Sequence, residues 1–383
     1  MKCKLSDICV FRKGKVDVSK LTLKTYISTE NMLPNKGGVT EASSLPTVQL
    51  TQEYKKGDIL VSNIRPYFKK IWQAKCDGGC SNDVLVFQGN SNIDGDFLYY
   101  ILANDDFFAY SMATSKGTKM PRGDKTSIMQ YEVQIFDIDT QRKIASVLRS
   151  LDEKIELNST INNNLEQQAE AIFQSILSNA ITTVNLGEIA DVKGGKRLPR
   201  GVNLIDIPNA HPYIRVRDLN NALFASLTPN YAYVDKETQK SISRYIVSTG
   251  DVLISIVGTI GLTAIVDSTL DKANLTENCV KVTNLKHITP EYLLLYLRSQ
   301  FGREDIAKGT VGAVQQKLPI KNIQAIPIPL LSEKDKNALF CTLDSIFAGI
   351  SNNVIQSAKL ASLRDTLLPR LMSGELDVSD IDL

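Results

Sequence analysis

Apolar residues recur at alternating steps of four and three through the middle of the chain. The series runs Ile144, Leu148, Leu151, Ile155, then Leu165, Ala169, Ile172 and Ile176, with Asn158 and Asn162 at its two central places. Such spacing is the seam of a helix that lies along a partner helix. It predicts an unbroken helix over 140–181, with no Pro or Gly inside. About 40 residues at about 1.5 Å each make a rod of roughly 60 Å. A second stripe closes the chain over 332–373, with Leu343, Phe347, Ile350, Leu360 and Leu367 on its pairing side. A seam this long needs a partner, and the nearest candidate is the other helix of the same chain.

Between and before the helices the pattern repeats. Leu5-Ser-Asp-Ile8 returns as Leu186-Gly-Glu-Ile189, and Gly57-Asp-Ile-Leu60 as Gly250-Asp-Val-Leu253. Phe97-Leu-Tyr-Tyr-Ile-Leu102 returns as Tyr292-Leu-Leu-Leu-Tyr-Leu297, Lys116-Gly-Thr118 as Lys308-Gly-Thr310, and Leu151-Asp152 as Leu343-Asp344. The offsets are 181, 193, 195, 192 and 192 residues, in unbroken order. The chain therefore contains two halves, each a globular domain followed by a long helix. In each half a Gly-Asp turn leads into an apolar β-branched strand, at 59–64 and 252–257. A strand at 83–87 or 279–282 follows, then an amphipathic helix at 96–104 or 290–299. A polar glycine-bearing loop comes next, at 113–125 or 307–317, and a last strand at 131–136 or 323–328. Pro327 and Pro329 are expected to stop the second copy's strand, where the first copy has Asp137-Ile-Asp139. The fold class is α+β, with a pseudo-two-fold repeat. Two mixed domains, 1–138 and 182–330, are separated by helices over 139–181 and 331–376 that form an antiparallel coiled coil. An acidic tail, 377–383, follows Gly374.

Composition adds bounds. The chain has 383 residues, 43% of them hydrophobic and 22% charged, enough for an ordinary core in each half. The net charge of +2 requires any basic surface to be local. Six irregularly spaced Cys and no signal-like start at Met1-Lys-Cys-Lys point to a reducing cytoplasm. No apolar run approaching about 18 residues is evident, so no membrane span is expected.

Several chemistries lack their motifs. Gly194-Gly195-Lys196-Arg197 has neither the spacing nor the hydroxyl of a phosphate-binding Gly-Lys-Ser loop. The two His, His211 and His287, both lie in the second half, which excludes a duplicated His-based site. Arg65-Pro66-Tyr67-Phe68 lacks the amide or acid that a base-methylating Asn/Asp-Pro-Pro-Tyr motif uses on its target amine. Cys76-Asp-Gly-Gly-Cys80 is half a zinc site with no second half, and no metal is expected. Asp152-Glu153-Lys154 has the look of a nuclease fragment, but a solvated helix face accounts for it better.

What recurs is polar, basic loops. Near each domain start lie Arg12, Lys13 and Lys15, and Lys193, Lys196, Arg197 and Arg200. Their glycines would allow close approach of a phosphate; surface turns are the alternative. The Lys-Gly-Thr loops carry Lys116, Lys119, Arg122 and Lys125, and Lys308, Gln315, Gln316 and Lys317. These are donors suited to guanine or adenine edges; drift in an unconstrained loop is the alternative. Arg65, Lys69 and Lys70 interleave with aromatics in the first copy, suited to phosphate contact and groove packing. The matching Val257-Gly-Thr-Ile-Gly-Leu262 is small and apolar. Arg215 and Arg217, two apart, are placed on one face of a strand, with a salt-bridged face as the alternative.

With these residues in view, the chain resembles the specificity subunit of type I restriction–modification systems. The carrying strings are the two Leu-x-Asp/Glu-Ile openings, the two Gly-Asp-hydrophobic turns, the Lys-Gly-Thr loops, Ile326-Pro-Ile-Pro329 and Leu367-Leu-Pro-Arg-Leu-Met-Ser-Gly-Glu375. The likeness covers essentially the whole chain. It departs at the helix starts, Thr140-Gln141 and Glu333-Lys334, and in the missing Pro-x-Pro of the first copy. The resemblance implies two target recognition domains, each reading half of a split duplex DNA site, with the helices fixing the interval. It implies two modification subunits that bind S-adenosylmethionine and methylate adenine, restriction subunits beside them, and no catalytic residue or cofactor in this chain. The runner-up is a coiled-coil adaptor holding two protein-binding domains. A nuclease or methyltransferase in its own right is disfavoured by the missing motifs.

Overall fold

The computed structural model describes residues 2–220, 222–228, 231–312 and 315–381. Two compact units divide the chain: Met1–Leu157 with Gln356–Leu383, and Asn158–Ile355.

The first unit is built on a four-stranded antiparallel sheet in the order Cys9–Phe11, Val84–Gly89, Ile59–Ser62, Ile71–Gln73. Its central strands are apolar on both faces. Ile59, Val61, Leu85 and Phe87 face the helices Gly95–Ala103 and Asp105–Ala113. Leu60, Val84 and Val86 face the other way, onto Tyr54, Ile27 and Trp72. This two-residue alternation is what a strand buried on both sides requires. A second four-stranded sheet, Lys15–Asp17, Leu50–Tyr54, Gly78–Cys80, Tyr26–Ile27, covers that other side.

The second unit repeats the plan on a five-stranded sheet: Asp191–Gly194, Cys279–Thr283, Val252–Ser255, Thr263–Val266, Phe224–Ala225. Val252, Ile254, Val280 and Val282 face the helix Pro290–Arg298 and its neighbours, while Leu253, Ala264 and Cys279 face a separate cluster. The Gly-Asp turns have one physical explanation in both units. Gly57 and Gly250 are left-handed, at φ 91° and 87°, where a side chain would be strained. Asp58 and Asp251 are buried and accept the amide N–H groups of Lys55 and Ser248. Each is neutralised by one cation, Arg12 or Lys281. The openings Leu5–Ile8 and Leu186–Ile189 are single helical turns with Leu and Ile buried.

The long helices are Ile138–Leu177 and Glu333–Met372. Asp137 caps the first, accepting from the Thr140 amide at 3.0 Å, and Ser332 caps the second, accepting from Asp335. Within each unit they run antiparallel. Arg364 meets Asp152 at 2.7 Å in the first unit. In the second, Asn353 donates to Asn162 at 2.8 Å and accepts from Asn158. The seam is not a free-standing coiled coil. Ile144, Leu148, Leu368 and Leu371 are part of the first unit's core, and Leu367 packs against it. Leu343, Phe347 and Ile350 belong to the second unit's core, with Leu165 and Ile172 against it. Leu151, Ile155 and Leu360 are half-buried, and Asn158 is buried.

Four expectations are corrected. Pro327 and Pro329 do not stop a strand but lie inside one, Pro327–Leu330, which among the described residues pairs only with Thr182–Asn185. A strand with one partner leaves an edge on which a missing N–H costs nothing. The stretch 320–324 before it is a helix, Ile320–Gln324. Asp152 is no solvated residue, since it accepts from Tyr100 at 2.8 Å as well as from Arg364. Finally, the helix Glu333–Met372 is long and apolar enough to cross a membrane, by length and composition alone. Small residues such as Cys341 and Ala348 raise its average, while its large apolar groups Leu339, Leu343, Phe347 and Ile350 are buried in the second unit's core.

Candidate nucleic-acid interface

The polar loops become matched hairpins. In the first unit Lys116 and Arg122 exchange both backbone hydrogen bonds, at 2.8 and 3.0 Å, around the left-handed Gly117. Arg122 also bridges to Ile64, just past the Gly-Asp strand. In the second unit Val311 and Lys317 exchange both bonds at 2.9 Å around the left-handed Gly312, and Lys317 bridges to Val257. Arg122 and Lys317 are thus equivalent. Lys116 matches Val311, so the identical Lys-Gly-Thr strings are not in structural register. Lys308 closes the helix Gln300–Gly309, with Glu304 and Asp305 at 4.0 and 3.8 Å. Lys119 and Met120 are exposed in the first hairpin, Gln315 and Gln316 in the second.

Electrostatics sorts the remaining cations. Lys116 meets Asp124, which also caps the helix Lys125–Ile128; the lysine and the Ser127 donors hold the Asp124 carboxyl at about 2. Arg122 reaches Asp83 at 3.1 Å yet stays 56% exposed. Pairs this open contribute at most about 1 kcal/mol, so a phosphate or base edge can displace them. Lys193 with Asp191, Arg197 with Glu277, and Lys69 with Asp105 are similar. Lys196 lies 5.5 Å from the Tyr245 ring, and Lys125 5.9 Å from Phe11. Among the described residues, Lys13, Lys15, Lys119, Arg200 and Lys317 are exposed and enter no ion pair.

Two candidates are structural. The Arg12 guanidinium forks onto buried Asp58, which holds the arginine's proton more tightly than usual. Arg215 is not on a strand: Tyr213–Ile214 ends before it, and Val216–Asp218 is a 3₁₀ turn that Arg215 caps through Asp218 at 2.8 Å. Arg217 points to solvent, 70% exposed. The glycines near the domain starts serve internal packing. A Cβ on Gly195 would stand 2.0 Å from the Thr276 carbonyl oxygen, and one on Gly14 would strike the Glu53 side chain. Burial pushes the Cys80 thiol up to about 12, and among the described residues no three His, Cys, Asp or Glu gather where they could hold a metal ion.

The model of the type I restriction modification DNA specificity domain matches the chain twice, over residues 1–167 and 180–359. The chain belongs to this family. The HindI type I restriction enzyme specificity subunit of Haemophilus influenzae is 24% identical, over 97% of this chain and 98% of its own length. The MjaIX specificity subunit of Methanocaldococcus jannaschii is 23% identical over 78% of the chain and 74% of its own length. The S subunit from M. genitalium shares the fold, at a TM-score of 0.59 and 17% identity, covering 97% of this chain and 96% of that one. As a specificity subunit of a type I restriction–modification system, the protein supplies DNA recognition and is not itself catalytic.

The sequence missed some of what surrounds the specificity subunit's basic loops. A cavity of about 250 Å³ in the first unit gathers Phe11, Lys15, Gln52, Asn82 and Lys125. Asn82 and Gln52 carried no signal, because chain segments far apart bring them beside the lysines.

Proposed function

We propose that the units divide the reading of one bipartite duplex site. The domain over 1–138 takes one half-site and the domain over 182–330 takes the other. The observation that carries this reading is the pair of bridged loop ends, Lys116 with Arg122 and Val311 with Lys317, stapled to the same point of the same scaffold with different side chains. Constant backbone with variable donors is what two readers of different sequence need. Lys119, Arg122, Gln315, Gln316 and Lys317 are the base-reading candidates. Lys13, Lys15, Lys125, Lys196, Arg197, Arg200 and Arg217 neutralise phosphates. The paired helices set the interval between half-sites and dock two modification subunits, which carry S-adenosylmethionine. Restriction subunits join that complex, in the cytoplasm.

A genome-wide map of methylated adenines, with the gene intact and deleted, tests the reading. Deletion removes methylation at one split motif. Arg122→Ala relaxes one half of that motif and Lys317→Ala the other, each by about 1–3 kcal/mol for a lost base contact. A map indifferent to deletion in a strain with active methylation would refute the reading. Uniform weakening by either variant would demote that residue to a phosphate contact.

A further inference from the structure

The two units close the turn after their Gly-Asp strand with the same bond. The Ser62 amide donates to Lys70 O at 3.0 Å, and the Ser255 amide to Leu262 O at 2.9 Å. Both turns are left-handed three residues after the serine and again at the last residue before closure. The second unit fills these places with Gly258 and Gly261, at φ 81° and 85°. The first unit fills them with Arg65 and Lys69, at φ 51° and 50°. Glycine adopts this conformation freely, whereas side-chain-bearing residues are strained there. Strain retained where the sister unit avoids it points to a role for the side chains involved.

Between the two strained residues, Pro66–Phe68 is a 3₁₀ turn that presents Tyr67 and Phe68, 49% and 38% exposed, with ring centroids 4.7 Å apart. The turn is held firmly. Asn35 and Lys36 donate to Phe68 O and Lys69 O at 2.8 Å, and the Arg65 amide donates to Pro121 O of the reading hairpin at 2.8 Å. One cation lies against the rings: Lys70 stands 5.7 Å from the Phe68 centroid while donating to Thr29 O at 2.6 Å, and Lys36 and Lys69 share Asp105. Arg65 Nε and Asn63 Oδ1 are buried beside the turn with no hydrogen-bond partner. The second unit has Thr259 and Ile260 between its glycines.

We propose that Tyr67 and Phe68 form a rigid aromatic wedge that stacks against an opened base step of the first unit's half-site, while the second unit reads its half-site without one. The inference rests on the DNA-reading assignment above. Two exposed rings with a lysine against one of them suit a duplex, whose bases offer flat apolar faces between rows of phosphates. The strained residues direct the wedge, and the exposed pair between Lys69 and Asp105 is one that a flanking phosphate can displace.

The test uses the full chain assembled with its modification subunits. The probe is a duplex carrying the methylated motif, with 2-aminopurine placed at successive steps. Outside the target adenines, which the modification subunits extrude in both halves, wild type should raise the fluorescence several-fold at one step of the half-site assigned by Arg122→Ala, and at no step of the other. Phe68→Leu should abolish that rise and weaken binding at least tenfold, with unchanged thermal stability. The double variant Arg65→Gly, Lys69→Gly should fold as stably as wild type or more so, yet bind at least tenfold more weakly. Tight specific binding with silent probes at every step outside the target adenines, or with Phe68→Leu and the glycine variant binding like wild type, would overturn the wedge and leave the DNA-reading assignment standing. Failure of the wild-type complex to bind any duplex would overturn both.

Discussion

Arg12 separates two readings of one basic loop. By sequence it is a phosphate contact like its neighbour Lys13. By structure it neutralises Asp58, whose carboxylate is 4% exposed against 16% for the arginine. The guanidinium donates Nε to one carboxylate oxygen and Nη2 to the other at 2.8 Å. Arg12→Ala would leave that carboxylate buried with one remaining strong donor, the Lys55 amide at 2.7 Å. Removing one partner of a buried pair costs about 3–5 kcal/mol. The retained amide and the arginine's residual exposure put this loss near the lower end, about 3 kcal/mol.

Trp72, the single Trp of the chain, stands edge-on to Tyr54 at 5.8 Å in the same unit as Arg12. Its fluorescence therefore follows the unfolding of that unit. With a urea slope of about 2 kcal/mol per molar, the Arg12→Ala midpoint should fall by about 1.5 M. The log–log salt slope of DNA binding, measured where the variant is folded, should stay unchanged. Lys13→Ala should do the opposite. It should shift stability by less than about 0.5 kcal/mol and reduce the salt slope by about 0.9, one phosphate's worth. An Arg12→Ala protein with the wild-type midpoint and a reduced slope would refute the structural assignment.

Three further outcomes follow from the same kind of accounting. Asn158→Leu replaces a buried amide on the helix seam with an apolar group, and should stabilise the second unit by about 1 kcal/mol and raise its thermal midpoint, while loosening helix register; a lowered midpoint in calorimetry would contradict this. Arg364→Ala strips Asp152 of its cation and leaves it only the Tyr100 hydroxyl, so the Trp72 transition should lose about 2–3 kcal/mol, with an unchanged transition counting against the stitch. Asp124 has its pKa depressed to about 2, so its capping of Lys125–Ile128 is fully present above the ordinary carboxylate range and is lost only as pH falls through about 2. Hydrogen exchange at the Ser127 amide should stay protected at pH 3 in wild type and not in Asp124→Ala.

The helices were legible because a four–three apolar series over forty residues has one structural solution, and the repeat was legible because Gly57 and Gly250 are forced by their backbone. The interface was less so. Lys-Gly-Thr occurs twice, and identity of letters suggested a register that the fold does not use. The turn at Gly117 matches Gly312, and Gly309 ends a helix. Ion pairs were hidden for a plainer reason. Arg12 and Asp58 are 46 residues apart and Arg197 and Glu277 80 apart, so no local pattern distinguishes a tethered cation from a free one. Arg215 and Arg217 misled because alternation implies a strand only where the chain stays extended, and Asp218 turns it.

The two units thus differ least where the backbone must be held and most where side chains can reach outward. Asp58 and Asp251 do the same work with different cations, so the scaffold tolerates exchange of Arg for Lys there only because the partner's position changes with it: Arg12 follows the edge strand Cys9–Phe11, and Lys281 lies in the inner strand Cys279–Thr283. At the turns after the Gly-Asp strands the divergence has another character. Gly258 and Gly261 would accept side chains only with strain, and the first unit accepts that strain at both places. The exposed pair of Lys69 with Asp105 is worth at most about 1 kcal/mol, too little to repay two strained residues. Selection for what Arg65, Tyr67, Phe68 and Lys69 present together is the simpler account of why two copies of one fold have diverged in this direction.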